Sequence, residues 1–142
     1  MLYAYNNMSE QYQSVHYSET VLEHFKNHHN AGRMNNPSIE YNVKNPISGD
    51  SLHLFLLIEN EKIMQASFLT SGGPASIATA SIATDLITGM TLSEAAKITR
   101  YDLVEKAGRL PPAKIQCSVI AAAAIRNAIS KWKRDLKDGH DK

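Results

Sequence analysis

Residues 51–70 hold two strand-like runs with almost nothing between them. From Ser51 to Glu59, Leu52, Leu54, Leu56 and Ile58 alternate with Ser51, His53, Phe55 and Leu57. A strand points successive side chains to opposite faces, so this run predicts one fully apolar face and a second that is partly apolar. Asn60-Glu61 is a tight connection, and Lys62–Thr70 is the next strand. A link that short permits only antiparallel pairing. Upstream, residues 40–45 read as a further strand, joined by the turn Pro46-Ile47-Ser48-Gly49-Asp50. Three strands on short links make an antiparallel meander.

Helical signals surround the meander. Ser18 reads as an N-cap for a short helix with the apolar stripe Val21, Leu22 and Phe25, ended by Asn30-Ala31-Gly32. Gly72-Gly73-Pro74 breaks the sheet, and Pro74 suits a first helical turn. Residues 75–88 are rich in small side chains, which let a helix lie close to the sheet, and Gly89 suits the position after its end. Thr91-Leu92-Ser93-Glu94 matches a capping box opening a short helix through Ile98. Another short helix covers 101–107 and stops at Gly108. Leu110-Pro111-Pro112 starts extended, because each proline disfavours helix in the residue before it. The last helix spans about 115–136, with Ser118, Ala122, Ile125, Ile129, Trp132 and Leu136 on one face. The class is α+β: a three-stranded antiparallel sheet with about five helices on one side, the C-terminal one long. Residues 1–16 show no period and read as a flexible N-terminal arm, with Tyr3, Tyr5 and Tyr12 as docking groups. Residues 17–137 form the domain and 138–142 a tail.

Composition narrows the function classes. The 142 residues carry a net charge of +1, too little for a strong electrostatic footprint toward nucleic acid or an anionic membrane. The local cluster Lys131, Lys133, Arg134 and Lys137 reads as a solvated helix end whose cations favour the negative pole of the dipole. One cysteine, Cys117, rules out a disulfide within the chain. No apolar run approaches a membrane span, and the polar, aromatic N-terminus does not read as a signal peptide. A cytoplasmic protein is the expectation.

The reactive side chains are sparse. His28 and His29 are adjacent, so on a helix they point about 100° apart and share a metal poorly; they read as surface residues. His53 alternates with apolar residues and reads as a partly buried histidine with a partner. Gly72-Gly73 lacks the residues of a Walker A or dinucleotide loop and reads as a turn. No G-x-S-x-G elbow is present. Cys117 opens the last helix, as either a buried structural residue or a reactive one.

Several segments together resemble one family. Tyr17-Ser18-Glu19-Thr20-Val21-Leu22-Glu23-His24-Phe25 followed by Asn30-Ala31-Gly32 is similar to the opening of the IscU/NifU-type iron–sulfur cluster scaffolds. Pro46-Ile47-Ser48-Gly49-Asp50 resembles their first ligand loop, which usually ends Cys-Gly-Asp. Phe68-Leu69-Thr70-Ser71-Gly72-Gly73, with Ser76-Ile77-Ala78-Thr79-Ala80-Ser81, resembles the second ligand turn and its helix. Gly89-Met90-Thr91-Leu92-Ser93-Glu94-Ala95 is similar to the next segment. Leu110-Pro111-Pro112-Ala113-Lys114-Ile115-Gln116-Cys117 resembles the motif usually written Leu-Pro-Pro-x-Lys-x-His-Cys. The likeness covers residues 16–135 in order.

The resemblance implies a scaffold in iron–sulfur cluster assembly that is not an enzyme. It also implies what has changed. Ser48 and Gly73 stand where the family has ligand cysteines, and Gln116 where it has histidine; Cys117 and the assisting Asp50 are kept. A two-iron cluster usually takes four ligands, mostly thiolates, so one copy of this chain falls short. What the resemblance leaves for Cys117 and Asp50 is sulfur acceptance, weak iron contact, or a labile cluster shared between two protomers. The implied partners are a cysteine desulfurase, a DnaK-type chaperone and co-chaperone reading Leu110, Pro111, Pro112, Ala113 and Lys114, and a second copy of the chain. The alternative implied is a metal-free pseudo-scaffold that binds and regulates those partners. A ligand-binding or enzymatic offshoot using the vacated pocket, lined by Ser48, Asp50, Gln116 and Cys117, ranks last.

Overall fold

A computed structural model describes residues 17–139; the N-terminal arm with its tyrosines, and residues 140–142, lie outside them. Strands β1 (Ile39–Lys44), β2 (Ser51–Glu59) and β3 (Lys62–Thr70) form one antiparallel sheet in the order β1-β2-β3. Around it stand helices α1 (Glu19–Lys26), α2 (Pro74–Ile87), α3 (Leu92–Ala95), α4 (Arg100–Ala107) and α5 (Gln116–Lys137). A 3₁₀ turn, Pro112–Lys114, introduces α5.

The β2–β3 link is two residues long, and Asn60 and Glu61 both take positive φ (53° and 63°). That backbone matches the right-handed twist of the strands it joins. A register shift follows at Leu57/Ile58. Leu52, Leu54, Leu56 and Ile58 are all buried on one face, with Ile63, Ala66 and Phe68 of β3 beside them. Helices α2 and α5 close this face. The α5 residues that pack there include Ala121, Ala122, Ala124, Ile125, Ala128 and Ile129. Methyl-sized side chains let its axis come close to the sheet, while Trp132 packs at the margin. On the opposite face Phe55 is also fully buried. It stacks on His53 at 4.6 Å and lies under the Arg33 guanidinium at 5.4 Å.

A second cluster joins α1, α2 and α4 through Tyr17, Val21, Phe25, Ala75, Ala78, Ile82, Ala107 and Leu110. Ser18 fastens it. Its hydroxyl accepts from the Val21 N–H as an N-cap and donates to the Ala107 carbonyl. Gly108 must take φ +89°, and a Cβ there would sit 3.0 Å from that of Ser18.

Three helices differ from the sequence expectation. Helix α1 ends at Lys26 with Asn27 as its C-cap, before the expected Asn30-Ala31-Gly32, so His28 and His29 lie in the loop that follows it. The helix opened by Thr91 ends at Ala95, short of Ile98. Thr99 is the reason: with Asp102 it makes a second capping box, which starts α4 at Arg100.

Candidate functional site

Three pieces of chain meet beside the sheet's end. The first is the turn before β2. Asn45 Oδ1 accepts from the N–H groups of Ile47 (2.9 Å) and Ser48 (3.3 Å), and Ser48 Oγ accepts from the Asp50 N–H at 3.2 Å. Gly49 supplies the positive φ (82°) that closes the turn. Ile47 is left at its tip, 95% exposed.

The second piece follows β3. Thr70 Oγ1 donates to the Ser51 carbonyl at 2.7 Å, and the Ser51 N–H donates to Ser71 Oγ at 2.9 Å. These bonds hold the turn after β3 against the start of β2, so Gly72 and Gly73 lie next to Asp50. Gly72 has no room for a side chain: a Cβ would meet Ser76 Oγ at 2.2 Å and Asp50 Oδ2 at 3.5 Å. Gly73 is different. Its φ is −83°, and a Cβ there meets nothing within 4 Å.

The third piece is the start of α5. Pro112–Lys114 turns the chain so that Gln116 and Cys117 fall in the first helical turn, where free N–H groups favour an anion. Cys117 Sγ lies 3.4 Å from Ser76 Oγ. A pocket of about 190 Å³ results, lined by Ser48, Asp50, Gly73, Ser76, Gln116 and Cys117 among others. Lys114 and Ala113 stand on its wall, and Ile120 is beneath. Cys117 is half-buried and also packs on the α1–α2–α4 cluster.

The structure thus brings together the five positions that the resemblance aligned with the metal site: Asp50, Cys117, Ser48, Gly73 and Gln116. Of the segment Leu110–Lys114, Leu110 is buried while Pro112, Ala113 and Lys114 are exposed. Ser76 was missed; its spacing of three from Gly73 puts it on the same helical face. The pocket offers one sulfur, one carboxylate, two hydroxyls, two amides and the Lys114 amine. That set does not fit a four-ligand iron–sulfur centre within one chain, nor a zinc site of the usual four N, S or O donors.

The histidines separate. His53 Nε2 pairs with Glu40 Oε1 at 2.7 Å, a partly buried histidine with its partner. His28 Nδ1 approaches the Phe25 carbonyl at 3.5 Å. His29 turns away from it to Asp85.

The model of the NifU-like N-terminal domain matches residues 16–138. The chain belongs to that family. The NifU-like chain is 39% identical over 118 residues to the iron–sulfur cluster assembly scaffold protein IscU 1 of Archaeoglobus fulgidus, covering 83% of this chain and 77% of that one. It is 37% identical over 137 residues to the iron sulfur cluster assembly protein 1 of Trachipleistophora hominis, covering 94% and 97%. It is 36% identical over 121 residues to the scaffold protein IscU of Escherichia coli, covering 82% and 94%. A crystal structure described as a putative iron–sulfur cluster assembly scaffold for the SUF system, from Fervidobacterium islandicum, shares the fold. Its TM-score is 0.66 at 20% identity, over 80% of this chain and 96% of that one. In this NifU-like domain, among the described residues, no helix is long and apolar enough to cross a membrane.

Proposed function

We propose that this NifU-like domain serves iron–sulfur cluster assembly as a scaffold-fold sulfur acceptor, with Cys117 taking sulfur from a cysteine desulfurase. One observation carries the reading: the only thiol of the chain stands half-buried in an open polar pocket, at a helix start, rather than sealed in the core. The chemistry balances without an added oxidant. The Cys117 thiolate attacks the terminal sulfur of the donor's cysteine persulfide. A new S–S bond forms on Cys117, the donor's S–S bond breaks, and the donor cysteine leaves as thiolate. Ser76, at 3.4 Å, is placed to hydrogen-bond the sulfur, and Asp50 offers a hard oxygen to incoming iron.

Iron and sulfide are cargo here. Two protomers facing each other supply two thiolates and two carboxylates, so a labile cluster shared across a homo-oligomer meets the ligand count one copy lacks. The exposed Pro112–Lys114 turn, beside the pocket, suits a segment read by a DnaK-type chaperone with its co-chaperone. The compartment proposed is the cytoplasm, and no catalytic turnover by the protein itself is required.

A second reading is a metal-free module that occupies and regulates the desulfurase or chaperone. Ile47, at the tip of the turn that carries Ser48, favours it: a branched apolar side chain 95% exposed on a closed turn is suited to burial in a partner.

The test is a mass measurement. After incubation with a cysteine desulfurase and cysteine, wild-type protein should gain the mass of one sulfur atom, and C117S none. Equal masses before and after in the wild type, with the desulfurase still bound, would favour the regulatory module.

A further inference from the structure

The far end of α2 carries a different chemistry. His24 of α1, His29 of the following loop and Asp85 of α2 each offer a donor atom, and the three donors lie within 4.8 Å of one another. We propose that His24, His29 and Asp85 form a second site, which binds a divalent first-row transition metal, with zinc the favoured ion.

The donor set points there. Two imidazoles and one carboxylate suit zinc or ferrous iron, and three protein ligands leave a position for water. Donors around a tetrahedral zinc stand roughly 3.4 Å apart. His29 Nδ1 and Asp85 Oδ2, now paired at 2.6 Å, part by less than about 1 Å to admit the ion, and rotation of these two exposed side chains brings the set, already within 4.8 Å, to that spacing. A supporting shell is already in place. Ser81 Oγ lies 2.7 Å from His24 Nδ1 and accepts from the His29 N–H at 2.8 Å. In the proposed site the His24 Nδ1–H donates to Ser81 Oγ, which leaves Nε2 to ligate the metal, the orientation that such a hydrogen-bond acceptor gives a metal-bound histidine. Asn30 Nδ2 donates to Asp85 Oδ1 at 3.0 Å and to Thr84 Oγ1 at 3.0 Å. Asn30 holds that pose with φ 65°, a conformation asparagine tolerates better than most residues.

Charge and access agree. Burial first, and then the neighbouring His29, keep the His24 imidazole below its ordinary pKa, which favours the neutral form a metal needs. The cluster opens on a surface groove of about 400 Å³ lined by Thr20, His24, Asp85, Leu86 and Lys106. Lys106 is a fixed positive charge there, so the metal binds against it. Asp85 and Ser76 are nine residues apart on α2, about 13 Å along its axis. The site is thus separate from the Cys117 pocket, and its histidine–carboxylate donors are not those of that pocket.

The full chain, stripped with a chelator, is titrated with zinc by calorimetry. One zinc per chain is expected in the wild type and in C117S. H29A and D85N should each weaken it at least about tenfold, and S81A, which removes only the support, by a similar order. Ferrous iron added without oxygen should bind more weakly than zinc, and magnesium not at all. Both altered ligand side chains are about half exposed, and circular dichroism checks that H29A and D85N fold. Zinc should shift the ring resonances of His24 and His29 but leave those of His53. Absence of zinc binding, affinity unchanged in both H29A and D85N, loss in C117S alone, or equal uptake of magnesium would overturn the proposal.

Discussion

The variant S48C/G73C/Q116H should bind an iron–sulfur cluster on anaerobic reconstitution, where the wild-type monomer binds none. With Cys117 it presents three thiolates and one imidazole around the pocket. That reaches the four donors a two-iron cluster takes. The backbone allows it. Gly73 has an ordinary φ of −83° and open space where a Cβ would go. Ser48 differs from cysteine by one atom and sits exposed on its turn. Replacing Gly73 gives up a favourable N-cap at a cost of about 0.5–1 kcal/mol, which stiffening the unfolded chain by about 0.4–1 kcal/mol largely offsets. Visible absorbance with stoichiometric iron and sulfide is the expected readout. A correctly folded variant that stays colourless would mean that these four positions do not converge on one centre.

Replacing Phe68 by alanine should be the most damaging of the core changes considered. Phe68 is 2% exposed and packs in the main cluster between sheet and helices. Its backbone also anchors the loop after α1: its N–H donates to the Asn30 carbonyl, and its carbonyl accepts from the Gly32 N–H. The side chain that keeps β3 seated therefore also steadies the loop carrying His29. Burial of a phenylalanine lost with a cavity left behind costs about 3–5 kcal/mol, against a total stability of roughly 5–15. Thermal unfolding of F68A should fall by roughly 10–15 °C. L69A is the control. Leu69 points to the other face and is 38% exposed, so its loss should cost about 1 kcal/mol or less. Equal effects of F68A and L69A would contradict the assignment of the core face.

The meander was legible because alternation at period two has few other meanings. Ser51–Glu59 and Lys62–Thr70 fall where the pattern places them, while β1 starts one residue earlier than expected. Helix starts were readable where a hydroxyl and an acid sit three apart, as at Thr91 and Glu94; the same device at Thr99 and Asp102 went unread, and the helix before it was drawn too long. The pocket was legible only through the family resemblance, since Ser48, Gly73 and Gln116 carry no chemistry that would single them out. The His24–His29–Asp85 cluster had no local signal. Asp85 lies 56 residues from His29, and only the packing of α1 on α2 brings them together. Phe55 shows the same limit: its strand parity puts it on the outer face, and a distant arginine and a neighbouring histidine cover it.

The most direct measurement is of iron and acid-labile sulfide per chain, with the visible spectrum, in wild-type monomer purified and reconstituted without oxygen. A lone sulfur donor predicts a monomer with no stoichiometric chromophore, and colour, if any, confined to a dimeric fraction. A monomer carrying a full complement of iron and sulfide would contradict it.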